Sequence, residues 1–177
     1  AEQGRQEHAA NTMPAPHYHF DGIDDNIQIA NVADLDLQTN NSGKFTIIAC
    51  INVNRVSTGI TYHIYEKGED ADNYISFKIY GDGLGLRAEY NGTEFRKQHT
   101  GCGITANTWH YVALTGDAGT YIGYVDGIAF PQTWNTALGP ESTVGTDTVS
   151  FIGTEDSGDR EFGGQISSIR LFNTVLT

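Results

Sequence analysis

Residues 74–90, YISFKIYGDGLGLRAEY, decide the fold. Ile75, Phe77 and Ile79 alternate with Tyr74, Ser76, Lys78 and Tyr80, and a period of two places each set on its own face of a strand. The apolar set is expected in the core and the other in solvent. After the turn GDG the alternation resumes, with Leu84, Leu86, Ala88 and Tyr90 against Arg87 and Glu89, so the stretch reads as a β-hairpin.

Working outward, the same grammar repeats. Asn91-Gly92 signals a further hairpin, and YIGYVDGIAF, 121–130, sets Asp126-Gly127 between two strand-like runs, the pairing favoured by a type I′ turn. Phe45 to Val53 and Trp109 to Leu114 are apolar on both faces, as central strands covered on both sides are; Trp109 is assigned to the core. VSFIG and GGQISSIRLFN supply the last strands. No window carries a 3.6-residue period. Short strands at regular spacing predict an all-β, two-sheet antiparallel jelly-roll sandwich. Residues 1–16, polar and ending in PAP, read as an extended or flexible N-terminal arm, and residues 17–177 as one domain.

Composition agrees: aromatics are 11% of the 177 residues and glycines number 21, a mixture that favours strands and tight turns. Ten Lys plus Arg against twenty-two Asp plus Glu give a net charge of −12. That balance repels phosphate backbones and anionic lipid, which argues against a nucleic-acid partner. It suits either a solvated acidic surface or divalent cations. No 18-residue apolar stretch exists to insert in a membrane, and AEQGRQEHAANTMPAP has no apolar signal core. Cys50 and Cys102 lack CxxC spacing, so zinc and a redox pair are not indicated, while their bonding stays open.

Four ordered blocks carry a resemblance: YHFDGIDDNIQI (18–29), FTIIACINV (45–53), WHYVALTGDAGTYIGYVDG (109–127) and FIGTEDSGDREFGGQISSIRLFN (151–173). Together they resemble the laminin G-like group of the concanavalin A-like lectin/glucanase superfamily. The resemblance implies a jelly roll, extracellular or surface-exposed, that binds glycans or proteins and is often fixed by structural calcium. Two positions depart from the pattern. Cys50 stands where relatives often carry Trp, and Ser167 and Ser168 stand where they carry acids that could help hold calcium.

Asp21, Asp24 and Asp25 crowd one turn around Gly22. Asp side chains there bond back to amide groups in an Asx turn, and adjacent carboxylates equally suit calcium, a hard cation that takes six or more oxygens. The three are the candidate metal ligands. The acidic runs EKGEDAD (66–72) and TEDSGDRE (154–161) contain Gly and read as solvated loops, with weak calcium binding as the rival reading. Neither supplies the Glu-x-Asp-x-Glu ladder that would put a nucleophile and a proton donor on one strand face. His17 and His19 share a face two residues apart but lack a third ligand. His110 belongs to the WHYVA block and is read as structural.

Sugar binding needs exposed rings that stack on pyranose faces, ringed by polar side chains. Trp134 in the loop FPQTWNTALGP, Tyr62, Tyr65, Tyr90 and Phe95 are the candidate rings, with Arg87 beside them; Trp134 could equally pin its own loop. The expectation is a non-catalytic module that recognises glycans or proteins at an extracellular surface. One alternative is a structural surface protein of a particle, such as a bacteriophage capsid decoration or fibre protein, assembling through the arm as a homo-oligomer or larger array. The other is a glycosidase or polysaccharide lyase, which the missing acid pair opposes.

Overall fold

A computed structural model of the chain describes residues 16–31, 44–70, 73–90, 93–117, 120–131, 149–155 and 160–176. For residues 69, 70, 73, 86–90, 93–99 and 131 the description extends to the backbone alone. Twelve strands form: β1 Tyr18–Asp21, β2 Ile27–Ile29, β3 Lys44–Val53, β4 Thr61–Asp70, β5 Asn73–Tyr80, β6 Gly83–Tyr90, β7 Thr93–His99, β8 Trp109–Asp117, β9 Thr120–Val125, β10 Ile128–Pro131, β11 Ser150–Ile152 and β12 Gly163–Phe172. They make two six-stranded sheets, β1-β12-β3-β8-β9-β10 (sheet A) and β2-β11-β4-β5-β6-β7 (sheet B). The pairings are antiparallel, and no helix occurs among the described residues. The two-sheet jelly-roll sandwich expected from the sequence is the fold.

Turn chemistry sets the hairpin registers. Tyr80 pairs with Gly83 across a two-residue turn in which Gly81, at φ 60°, takes the positive angle; glycine alone tolerates this at the first central position of a type II′ turn. Asp126 and Gly127, at φ 51° and 80°, both sit in the left-handed region, and Val125 pairs with Ile128. That is the type I′ pattern expected there. Asn91-Gly92 lies outside the described residues, with Tyr90 and Thr93 paired on either side.

The core lies between the sheets. Phe45, Ile47, Ala49, Ile51 and Val53 of β3, with Val112 and Leu114 of β8, face Ile75, Phe77 and Ile79 of β5, all at most 1% exposed. Burying one such side chain stabilises the fold by about 1.5–3 kcal/mol. Phe20 and Phe162 close one end edge to face, their centroids 6.0 Å apart. At the β12–β3 contact Gly164, at φ 148°, lies so close to β3 that a Cβ would run into the Asn52 carbonyl oxygen. Cys50 and Cys102 are both buried and both free thiols.

Three expectations need correction. Ile75, Phe77 and Ile79 are buried as expected, but the opposite face of β5 is not in solvent: Tyr74, Ser76 and Lys78 are 7%, 0% and 3% exposed. A polar pattern signals only that a face can hydrogen-bond, not that it meets water. Trp109 is half-buried on the outward face of sheet A, opposite Asn52, and meets His17 edge to face at 5.7 Å. Finally, Glu66 to Asp70 of the EKGEDAD run are not a loop, because β4 runs through Asp70, accommodating Gly68 beside a register shift, while Ala71 and Asp72 lie outside the described residues; glycine in a strand marks such an irregularity.

Candidate functional site

The aspartate turn is self-bonded. Asp21 Oδ1 accepts the Ile23 amide at 2.8 Å and the Asp24 amide at 3.3 Å, and Asp25 Oδ2 accepts the Asp21 amide at 2.9 Å. The bond from the Ile23 amide holds the Asp21 carboxyl below its usual range. One oxygen from each of Asp21, Asp24 and Asp25 lies within 4.8 Å of the others, and all three residues are exposed. Asp24's carboxylate takes no part in the turn's amide bonds, so the sequence-predicted trio is brought together with oxygens left over for a hard cation.

A second cluster lies on the face of sheet B turned away from the core, and the sequence gives no period that reveals it. His63 pairs with Lys78 and Glu66 with Ser76, so all four side chains share one face. His63 and Glu66 are three residues apart, and strict alternation would place them on opposite faces. A bulge at Ile64, where the register shifts between His63 and Tyr65, restores them to the same side. His63 Nδ1 lies 3.0 Å from Glu66 Oε2, and its Nε2 lies 3.6 Å from Glu155 Oε2. Arg160 Nη1 donates to Glu155 Oε2 at 2.6 Å, and the His63 amide donates to the Arg160 carbonyl at 3.2 Å. His63, Glu66 and Glu155 are 0%, 4% and 8% exposed. The expected solvated acidic runs are therefore corrected at Glu66 and Glu155, which are buried beside an imidazole. His63 Nε2 and Ser76 Oγ have no hydrogen-bond partner. Each such buried orphan costs about 1–3 kcal/mol, and the two lie on adjacent strands of one face.

His110 occupies a different kind of place. Its Nδ1 lies 2.7 Å from Asp126 Oδ2, and its Nε2 accepts the Thr105 amide at 3.1 Å, with the Thr105 hydroxyl also 3.1 Å away. Thr, His and Asp in this order resemble a nucleophile relay, but an Nε2 already accepting a backbone N–H has its lone pair committed. The set ties the loop before β8 to the β9–β10 turn.

The residues expected to bind sugar are scattered. Tyr65 is corrected outright: it is 0% exposed, pairs with Phe77 on the core face, and its hydroxyl meets Ser150 Oγ at 3.1 Å. The bulge that aligns His63 with Glu66 turns this ring inward. Tyr62 is half-buried against Phe162, centroids 5.9 Å apart. Arg87 and Tyr90 lie in β6 and Phe95 in β7, backbone only, and Trp134 lies outside the described residues. Exposed rings stand elsewhere. On the outward face of sheet A, Tyr111 and Tyr124 line an open groove of about 240 Å³ with Ile48, Ala113 and Leu176, and Tyr111 is 58% exposed. A second depression shares Tyr124, Thr115 and Leu176, so the two form one trough along β8 and β9. The available signal was the order Trp109, Tyr111, Ala113, an outward row hidden inside a run read as apolar on both faces.

The comparisons agree with this architecture. The family model for laminin G domains of the concanavalin A-like lectin/glucanases superfamily matches residues 21–177, and the chain belongs to that family. Domain 4 of AbnA, a GH43 extracellular arabinanase from Geobacillus stearothermophilus, solved with arabinotriose, superposes with a TM-score of 0.64 at 17% identity, covering 86% of this chain and 68% of that one. Domains LG4-5 of the mouse laminin alpha1 chain give 0.64 at 14%, covering 93% and 44%. The CBM40 of the Ruminococcus gnavus IT-sialidase, bound to alpha2,3 sialyllactose, gives 0.56 at 15%, covering 92% and 93%. At these identities the likeness is one of fold. No curated protein matches the chain by sequence.

Proposed function

We propose that this protein is a non-catalytic recognition module that binds glycans or proteins at an extracellular or other exposed surface, with the sheet A trough as its contact face. The observation that carries the reading is the exposed Tyr111 ring beside Tyr124 in an open, mostly apolar trough. Flat rings on a rigid sheet suit the apolar face of a sugar or a partner's side chains. Support comes from the neighbours: one is a domain solved with arabinotriose and another a carbohydrate-binding module solved with sialyllactose. No described helix is long and apolar enough to cross a membrane.

The non-catalytic part of the reading rests on commitment of the acids. Glu66 and Glu155 are held against His63 and Arg160 inside the protein, which is a poor position from which to attack a glycosidic bond. Calcium belongs to the same reading: the Asp21, Asp24 and Asp25 carboxylates would hold the ion beside the domain's opening strand, with water completing the shell. An ion at a hundred times its dissociation constant adds about 2.7 kcal/mol, so melting in calcium against chelator separates the two cases by several degrees.

A glycan array, followed by a panel of extracellular proteins, tests the function. The expected result is a defined set of ligands whose capture falls in Tyr111→Ala. Hydrolysis of a polysaccharide that is abolished by Glu66→Gln or Glu155→Gln would replace the reading with an enzymatic one.

A further inference from the structure

We propose that His63 and Glu155, with Glu66 behind the imidazole, form a binding site for a divalent transition-metal ion of the zinc class. The site lies on the face of sheet B turned away from the core and is separate from both the aspartate turn and the sheet A trough.

Spacing is the first argument. A zinc ion takes His nitrogen and carboxylate oxygen at about 2.1 Å, so two such ligand atoms at a tetrahedral angle stand about 3.4 Å apart. His63 Nε2 and Glu155 Oε2 are 3.6 Å apart, too far for a hydrogen bond and close to that ligand-to-ligand distance. One ligand atom from each of His63, Glu66 and Glu155 lies within 4.8 Å of the other two.

Protonation is the second. Glu66 Oε2 lies 3.0 Å from Nδ1, and in the tautomer that donates to it the Nε2 lone pair faces the site. A carboxylate behind a metal-binding imidazole in this way orients the ring. Arg160 Nη1 donates to the same Glu155 Oε2 at 2.6 Å, which fixes that oxygen in position and leaves it one further lone pair for the ion.

The third argument is the orphaned atom. His63 is fully buried and its Nε2 has no hydrogen-bond partner, so a lone pair has been stripped of water with nothing put in its place. A metal ion supplies the missing partner. Nitrogen beside oxygen selects borderline ions such as zinc over calcium or magnesium. Two protein ligands leave the other positions to water or to a ligand's oxygen, so the affinity falls below that of a closed four-ligand structural site.

The test is equilibrium dialysis of Zn²⁺ against the full chain, with Co²⁺ absorption reporting the ligand field. The expected result is one equivalent bound and a melting temperature raised by Zn²⁺. His63→Gln and Glu155→Gln should each lose that binding, and Glu66→Gln should weaken it 10–100-fold through the positioning of the ring, within the range of about 10–100-fold for outer-shell partners. Because His63 is buried, Glu155→Gln, from the segment after β11, serves if His63→Gln fails to fold. Asp24→Asn and the pair His17→Gln with His19→Gln should bind as wild type. Three outcomes would overturn the site: no Zn²⁺ bound; binding that survives both His63→Gln and Glu155→Gln; or binding that disappears with Asp24 or with His17 and His19. A plain Glu66–His63–Glu155 ion triad would appear as the first, with the Gln variants melting lower whether or not Zn²⁺ is added.

Discussion

Asp126 Oδ2 lies 2.7 Å from His110 Nδ1 while its Oδ1 accepts the Tyr111 amide at 2.9 Å, so one carboxylate in a hairpin turn fastens the start of a neighbouring strand. Asp126 is also one of two non-glycine residues at positive φ among those described. Substituting Asp126→Ala removes two charge-assisted bonds and places alanine in the left-handed region, a loss of about 2–4 kcal/mol. Urea denaturation should show it, with Asp126→Asn milder because an amide oxygen still accepts the Tyr111 N–H. Equal stability in Asp126→Ala would mean that the turn is held by something else.

Gly164 makes the sharper backbone prediction. Its Cβ position is filled by the Asn52 carbonyl, with Val53 Cα 2.9 Å away, and backbone atoms in a paired strand cannot step aside. Gly164→Ala should cost about 3 kcal/mol or more by parting β12 from β3. Thermal melting reads this directly, and a shift under a few degrees would show that the two strands tolerate separation.

Tyr65 separates packing from recognition. Tyr65→Phe removes the bond to Ser150 while keeping the ring and should cost about 1 kcal/mol, whereas Tyr65→Ala opens a cavity worth about 3–5 kcal/mol. Ligand capture by Tyr65→Phe should equal that of wild type. Reduced capture with an unchanged melt would return this ring to the binding face.

The alternation of residues 74–90 and the glycine-bearing turns fixed the strands and their inward faces, because a period of two is a local property and turn angles depend on two residues at a time. The site was less legible. A single bulge at Ile64 inverts the phase of β4, which sends Tyr65 inward and brings His63 and Glu66 together. Bulges arise from pairing with β5, a partner the local sequence does not specify. Glu155 looked like part of a solvated run because its burial depends on Arg160 and His63, contacts made only after folding. Tyr111 hid within a strand apolar on both faces, where sequence does not say which row lacks a cover.

The two thiols give a pH prediction. Burial pushes Cys50 from its ordinary value of 9.0 up to about 11, and Cys102 upward as well. The unfolded chain therefore loses these protons at lower pH than the folded one, so stability is unaffected below pH 9 and declines as pH rises from 9 towards 11. At pH 8 iodoacetamide should leave both cysteines unmodified in the native protein and alkylate both in urea, as mass spectrometry can count. Rapid labelling of the native protein would show that Cys50 or Cys102 opens to solvent.

The central claim, recognition through the sheet A trough, is tested most directly by calorimetric titration of the best array ligand into wild type and Tyr111→Ala. The account predicts a loss of about tenfold, or about 1.4 kcal/mol, with the melting temperature unchanged, since the ring faces solvent. Affinity in Tyr111→Ala equal to that of wild type would contradict it.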